Sequence, residues 1–186
     1  MSHRRIFGGV LGLAVAIAGT GVAFAAHPAA APKNVTVKEK FSMTMKPNRF
    51  IQDGMRFDKD VYTVKSGGKL TFVLNQAQEG PHTLSIVRPK DLPKTAQQVN
   101  KCKICEKLGK AHGADPNSDA PPKFPFLENG VGQDTPPKLD KPGDSGLVGP
   151  NRGAKVSFAV TAKPGSTLTF MCLIHPWMQA KLKVVK

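Results

Sequence analysis

Cys172, His175 and Met178 stand at steps of three in the segment Phe170-Met171-Cys172-Leu173-Ile174-His175-Pro176-Trp177-Met178-Gln179. A thiolate, an imidazole and a thioether on so short a stretch can converge on one point, and all three bind metals. His82 supplies a further imidazole from an earlier alternating run, where it shares a face with Leu84 and Ile86. Two imidazoles, one thiolate and a weak axial thioether form the donor set of a blue-copper centre. The soft thiolate of Cys172 suits both copper oxidation states. The neutral imidazoles of His82 and His175 complete a trigonal plane, and Met178 adjusts potential more than affinity. Gln179, the neighbour of Met178, is the alternative axial donor. The loop holds a single Cys, so one copper ion is expected rather than a dinuclear site.

Other groups with metal-binding chemistry carry plainer alternatives. Cys102 and Cys105 form a C-x-x-C pair, and His112 follows seven residues later. The pair is read as a disulfide in an oxidising compartment, with a second metal site including His112 as the other reading. No His follows Cys105 directly, which excludes C-x-x-C-H haem attachment. Met43, Met45 and Met55 resemble a methionine copper-handling cluster, but Met43 and Met45 share one strand face and are read as core. His27, near the expected mature N-terminus, is a weak loose donor.

Rigid elements must bring these donors together. Leu70, Phe72 and Leu74 alternate with Thr71 and Val73, and Val156, Phe158 and Val160 with Ser157, Ala159 and Thr161. Leu168, Phe170 and Cys172 alternate with Thr169 and Met171, and Leu182 and Val184 with Lys181 and Lys183. This period of two predicts strands with one buried face. Turn signals at Ser66-Gly67-Gly68, Glu79-Gly80-Pro81 and Lys163-Pro164-Gly165-Ser166 separate them. With further strands at 35–45 and 57–64, the pattern predicts an all-β antiparallel sandwich of seven to eight strands. Residues 89–153 hold ten of the 16 prolines and are expected to be a long, partly helical insertion between two sandwich strands. One helix is predicted there, capped by Thr95 and ended by Gly109, with Val99, Cys102, Cys105 and Leu108 along one side.

The N-terminus has a different character. Arg4 and Arg5 precede an uncharged apolar stretch, and Ala23-Phe24-Ala25 follows, which is the layout of a secretory signal peptide over 1–25. The expectation is cleavage near Ala25 and a periplasmic or extracellular protein, or a membrane-anchored one if the segment stays uncleaved. Residues 26–34 read as a flexible Ala/Pro leader, and 35–186 as one domain.

The formal charge is +14, yet the lysines are scattered, and one Trp and one Tyr give no basic cluster interleaved with aromatics. Nucleic acid is therefore not the expected partner. An acidic redox protein or an anionic membrane surface fits the charge, with the chain itself expected to be a monomer. No Ser-His-Asp order, phosphate loop or paired-carboxylate frame marks it as an enzyme.

The H…C-x-x-H-x-x-M arrangement beside a final strand at 180–186 resembles the cupredoxins, and the loop is most similar to those of the amicyanin and plastocyanin type. The resemblance covers about 35–88 and 154–186 and implies a Greek-key sandwich, one copper ion and one-electron transfer. It also implies that His175 is an exposed edge where a redox partner docks, with Pro176 and Trp177 beside it. Two departures stand out. Thr83 follows the first His, where many cupredoxins have Asn, and small members of the family lack the 89–153 insertion. An electron carrier is the function this resemblance implies; copper storage, delivery or resistance is the alternative.

Overall fold

The computed structural model describes residues 30–75, 80–115, 117–118 and 120–186; the export signal expected at 1–25, and His27, lie outside them. The alternating runs form the strands β1 (Asn34–Lys40), β2 (Met43–Lys46), β3 (Phe50–Asp53), β4 (Arg56–Phe57), β5 (Val61–Lys65), β6 (Lys69–Val73) and β7 (His82–Val87). Helices α1 (Ala96–Asn100) and α2 (Lys103–Ala111) follow, then β8 (Phe126–Glu128), β9 (Val131–Gln133), β10 (Lys138–Leu139) and β11 (Ser145–Val148). The chain closes with β12 (Lys155–Val160), β13 (Thr167–Met171) and β14 (Gln179–Val185).

Two sheets make the sandwich. One runs β10-β12-β6-β1-β4 and the other β5-β14-β13-β7-β11-β8-β9. Val37, Leu70, Phe72, Val156 and Phe158 face Leu84, Ile86, Leu168, Phe170, Leu182 and Val184 across a single core. The chain adopts the expected all-β sandwich with a partly helical insertion, but β1–β6, β5–β14 and β10–β12 pair in parallel where the pattern predicted antiparallel strands.

The strands are more numerous and shorter than the pattern predicted. The run expected at 35–45 breaks at Phe41-Ser42, and β2 and β3 leave as a separate hairpin. The run at 57–64 breaks at Asp58, whose carboxylate accepts from Lys38 N at 2.8 Å and from the Tyr62 hydroxyl at 2.6 Å. A side chain bonding locally to backbone competes with the ladder, and the strand ends there.

Residues 89–153 are also less separate from the sandwich than expected. β11 lies between β7 and β8 in the larger sheet, and β10 pairs in parallel with β12. Gly146 of β11 admits the Phe158 ring so closely that a Cβ would lie 2.5 Å from its Cζ. The single helix predicted there is two. Thr95 does cap α1, accepting from Gln98 N at 3.2 Å. The helical run then stops at Lys101, and Cys102 starts a new one by accepting from Cys105 N through its sulfur at 3.3 Å.

The insertion covers the outer face of the larger sheet. Cys102 and Leu108 of the helical segment, with Leu127 of β8, bury Val87, Met171 and Leu173 in a second apolar cluster. Strands β7 and β13 are therefore buried on both faces, where alternation predicted one. Thr83, Ser85 and Thr169 occupy that second face without breaking the alternation, because hydroxyls can be buried once hydrogen-bonded.

Candidate metal centre

His82 opens β7, and Cys172 directly follows β13, its hydrogen-bonded neighbour in the sheet. Both are completely enclosed. The loop after Cys172 is closed by Met178 N donating to His175 O at 2.8 Å and Cys172 N donating to Met178 O at 3.0 Å. This tight turn returns His175 to the strand end that carries His82. The Cys172 sulfur lies 3.8 Å from His82 Nδ1 and 3.7 Å from His175 Nδ1, and the three donor atoms all fall within 4.8 Å of one another. Among the described residues this is the one group of three such side chains gathered closely enough to share an ion.

The surroundings hold the donors in place. The Phe72 ring stands edge-on to His82 at 6.4 Å between centroids, and the two imidazoles lie 4.7 Å apart. Thr83 N donates to the Cys172 sulfur at 3.4 Å, while its hydroxyl oxygen accepts from Leu173 N at 2.8 Å. Thr83 thus ties the His82 strand to the Cys172 loop.

Electrostatics prepare the site for a cation. Burial, reinforced by the neighbouring His175, lowers the His82 pKa to about 4; Asp53 opposes this weakly. Burial lowers His175 as well. Both rings are therefore neutral ligands at neutral pH. Burial raises the Cys172 thiol, while hydrogen bonds from Thr83, His175 and Ile174 pull it down. A soft sulfur and two neutral imidazoles in a buried cluster fit one copper ion, with Met178 fully buried in the same core cluster as Cys172.

One consequence is measurable without metal. A His whose folded pKa lies below its unfolded value of 6.5 stabilises the fold fully above that value, and the contribution is lost as pH falls. For His82 the shift to about 4 corresponds to about 3 kcal/mol, of which roughly half is gone near pH 5. The metal-free protein is expected to melt several degrees lower at pH 5 than at pH 7. A melting temperature that is flat across that range would contradict the buried, neutral imidazole.

The other candidates separate clearly. Cys102 and Cys105 are joined, with an S–S distance of 1.98 Å. His112 turns away from them, its ring nitrogens meeting Phe124 O at 2.8 Å and Ser145 Oγ at 2.9 Å. The Gln179 amide nitrogen donates to Pro93 O and Pro176 O, each at 2.8 Å, and Gln179 pairs with Met171, whose side chain lies in the second apolar cluster and not in the core with Cys172. Met55 is buried core, but Met43 and Met45 are 58% and 63% exposed on the β2–β3 hairpin and are not core fillers. The hairpin forms a sheet of its own beside the sandwich, so among the described residues their strand face stays open. Beside the site, Trp177 is 40% exposed and meets the half-buried His175 edge-on at 5.4 Å. Pro176 is buried, and Ile174 takes its expected place in the exposed apolar rim.

Two groups of supporting residues were missed from the sequence. Asp144 is fully buried, and its carboxylate accepts from Asn129, Asp140 and Lys141 backbone N–H groups at 3.0–3.1 Å, fixing the turn that leads into β11. The Pro142-Gly143-Asp144 turn signal hinted at such a role. Ser85 and Ser145 carried no signal, because their meeting depends on β7 pairing with β11, and His112, read beside Cys102 and Cys105, meets Ser145 instead.

No protein-family model and no characterised protein matches the sequence. Among solved structures, the chain is similar to the reduced auracyanin of Roseiflexus castenholzii, at 17% identity and TM-score 0.42 over 84% of this chain and 99% of that one. It is similar to the amicyanin of Paracoccus versutus, at 14% identity and TM-score 0.35 over 86% of each chain. A copper-containing nitrite reductase from Thermus scotoductus matches at 15% identity and TM-score 0.39, over 82% of this chain and 22% of the reductase. These are distant likenesses of fold. In this chain the two-sheet sandwich holds a buried His82–Cys172–His175 donor set that fits one copper ion.

Proposed function

We propose that this chain is an exported type 1 copper protein that passes single electrons between redox partners. The observation that carries the reading is the enclosed His82–Cys172–His175 cluster, whose donor atoms lie within 4.8 Å of one another. Copper held there supplies exchange between Cu(I) and Cu(II). The protein's part is to hold the imidazoles neutral, exclude water and keep the sulfur fixed, so that little moves when the electron arrives. Met178, buried in the hydrophobic core that also holds Cys172, serves as the axial donor; Gln179 pairs with Met171, whose side chain lies in the second apolar cluster on the other face of the sheet.

The electron enters near His175, the one ligand of the three that is not fully buried. Exposed Trp177 and Ile174 provide an apolar rim there. An acidic redox partner suits a chain of formal charge +14, and its attraction to an anionic envelope surface has the same origin. The apolar segment after Arg5 and the Ala23-Phe24-Ala25 site support export to the periplasm or beyond.

A second reading, copper storage or delivery, draws on the exposed thioethers of Met43 and Met45, which are soft donors. Adding Cu(II) to the purified protein separates the two. An intense visible thiolate-to-copper band at one equivalent, with reversible one-electron voltammetry, is the expected result. Colourless binding of several Cu(I) equivalents without that band would overturn the electron-carrier reading in favour of copper handling.

A further inference from the structure

The lysines are scattered along the sequence, but the fold gathers several of them on the insertion. From Arg88 to Lys110 it carries seven basic side chains against only Asp91 and Glu106. A cleft of about 420 Å³ opens between the turn at Pro89–Asp91 and helices α1 and α2. Arg88, Lys90, Lys101, Lys103 and Lys107 line it, and Asp91 is the one acid among the lining residues. Glu106 faces a separate hollow with Gly109 and Lys110. Asp91 is committed to Arg88, which donates to its carboxylate through Nε at 2.6 Å and Nη2 at 3.2 Å. The four lysines of the cleft are exposed and form no ion pair among the described residues. Like charges gathered around one hollow repel each other and attract an anionic occupant.

Shape narrows the kind of occupant. A second hollow of about 320 Å³ shares Arg88, Asp91, Ile104 and Lys107 and continues the groove toward Asn129 and Gly130. Two joined lobes suit a length of polypeptide better than a single ion. The ammonium groups sit on long exposed stems, whereas a small-molecule site places a few polar groups precisely. A concave surface also receives a protruding segment better than a flat layer of lipid headgroups. Leu92, Pro93 and Ile104 give the walls apolar stretches that focus the field of the lysines.

The cleft is tied to the metal loop. Pro93 O, on its wall, accepts from the Gln179 amide nitrogen at 2.8 Å, and the same nitrogen donates to Pro176 O at 2.8 Å. Pro176 directly follows His175 and precedes the exposed Trp177. An occupant of the cleft is therefore held beside the edge of the site through which the electron passes.

We propose that this cleft receives an acidic, protruding segment of the electron-exchange partner, so that the insertion steers the partner and holds it next to His175. The inference rests on the electron-carrier reading above and gives its partner a place to bind. Charge complementarity in such a cleft raises the encounter rate by about 10–1,000-fold at low salt.

The first test titrates hexaglutamate, a peptide of six Glu residues, into the Cu(I) protein and follows backbone amides by nitrogen-15 NMR. Shifts are expected chiefly within 88–107 and should be lost in the double variant Lys103→Glu/Lys107→Glu. Lys163→Glu/Lys183→Glu makes the same change in charge at the other end of the sandwich. Lys183 pairs with Thr167 at the start of β13, whereas Cys172 follows its end. This control should bind the peptide as the wild type does. Equal loss in both variants, or shifts centred outside 88–107, would overturn the proposal. Inorganic phosphate binding the same amides as tightly as the peptide would replace it with a small-anion site. Phosphatidylglycerol vesicles held by these lysines when the peptide is not would replace it with a membrane contact.

Electron transfer supplies the second readout. Hexacyanoferrate(III), a trianion, and tris(phenanthroline)cobalt(III), a trication, each take one electron from the Cu(I) protein in stopped flow. At low salt the cleft variant should react roughly tenfold more slowly with the trianion and no more slowly with the trication. High salt should close the gap. Equal slowing in the far-end variant would reduce the effect to net charge and refute steering by the cleft. A wild-type protein with no visible band on addition of Cu(II) would refute the copper reading instead, and peptide binding would still report on the cleft.

Discussion

Cys172→Ser is expected to abolish the intense visible band on addition of Cu(II), while the fold survives. The sulfur is the group that His82 Nδ1 and His175 Nδ1 approach at 3.8 and 3.7 Å, and the site has no second thiol to replace it. A serine hydroxyl is a hard, weakly acidic donor and does not give the thiolate-to-copper transition. Copper affinity should fall by more than the roughly 10–100-fold typical of losing an outer hydrogen-bond partner, because a direct ligand is removed. The fold should suffer little. Serine has nearly the same shape, and Thr83 N, which meets the sulfur at 3.4 Å, can donate to the new hydroxyl. Burial of a hydroxyl with such a partner costs about 1 kcal/mol or less. Visible absorption with one equivalent of Cu(II), and thermal melting without metal, check the two halves. A blue Cys172→Ser protein would refute the site.

Phe170→Ala is expected to have the largest effect on stability. Its ring is fully enclosed and meets Phe57 edge-on at 4.8 Å and Tyr62 at 5.9 Å. Tyr62 is itself fixed by its hydroxyl donating to Asp58, so the wall of the resulting cavity cannot easily collapse. Removing a buried Phe costs about 3–5 kcal/mol, a large part of the roughly 5–15 kcal/mol that holds a domain together. At about 2–4 °C per kcal/mol for a domain of this size, melting should drop by roughly 6–20 °C. Phe170 also precedes Cys172 by two residues on the same strand face, so loosening it frees the sulfur. Copper binding should weaken along with stability, whereas Phe170→Leu should lose much less of both. Chemical denaturation of the metal-free variants measures the first effect and copper titration the second. A loss below about 1 kcal/mol for Phe170→Ala would contradict the packing.

The donor motif and the alternation that places His82 and Cys172 on the core face were legible in the sequence, because both are local. Spacing along one loop and a period of two along a strand depend on neighbours in the chain. From these alone come the sandwich class, the copper donors and the separation of Met178 from Gln179 as two axial candidates. What the sequence left open depends on contacts between distant residues. Alternation says which residues share a face, but not whether a second layer covers the other one. Leu108 and Leu127 bury Met171 and Leu173 only after the 89–153 segment has folded back on the sheet. The same pairing of β7 with β11 brings Ser85 and Ser145 to 2.6 Å across 60 residues of chain. Hydroxyls read as neutral in any hydrophobic pattern, so their burial, and the hydrogen-bonded chain that Thr83, Ser85 and Ser145 form with His112, was decided by tertiary structure. The loop that holds the donors could be read directly; the network behind it could not.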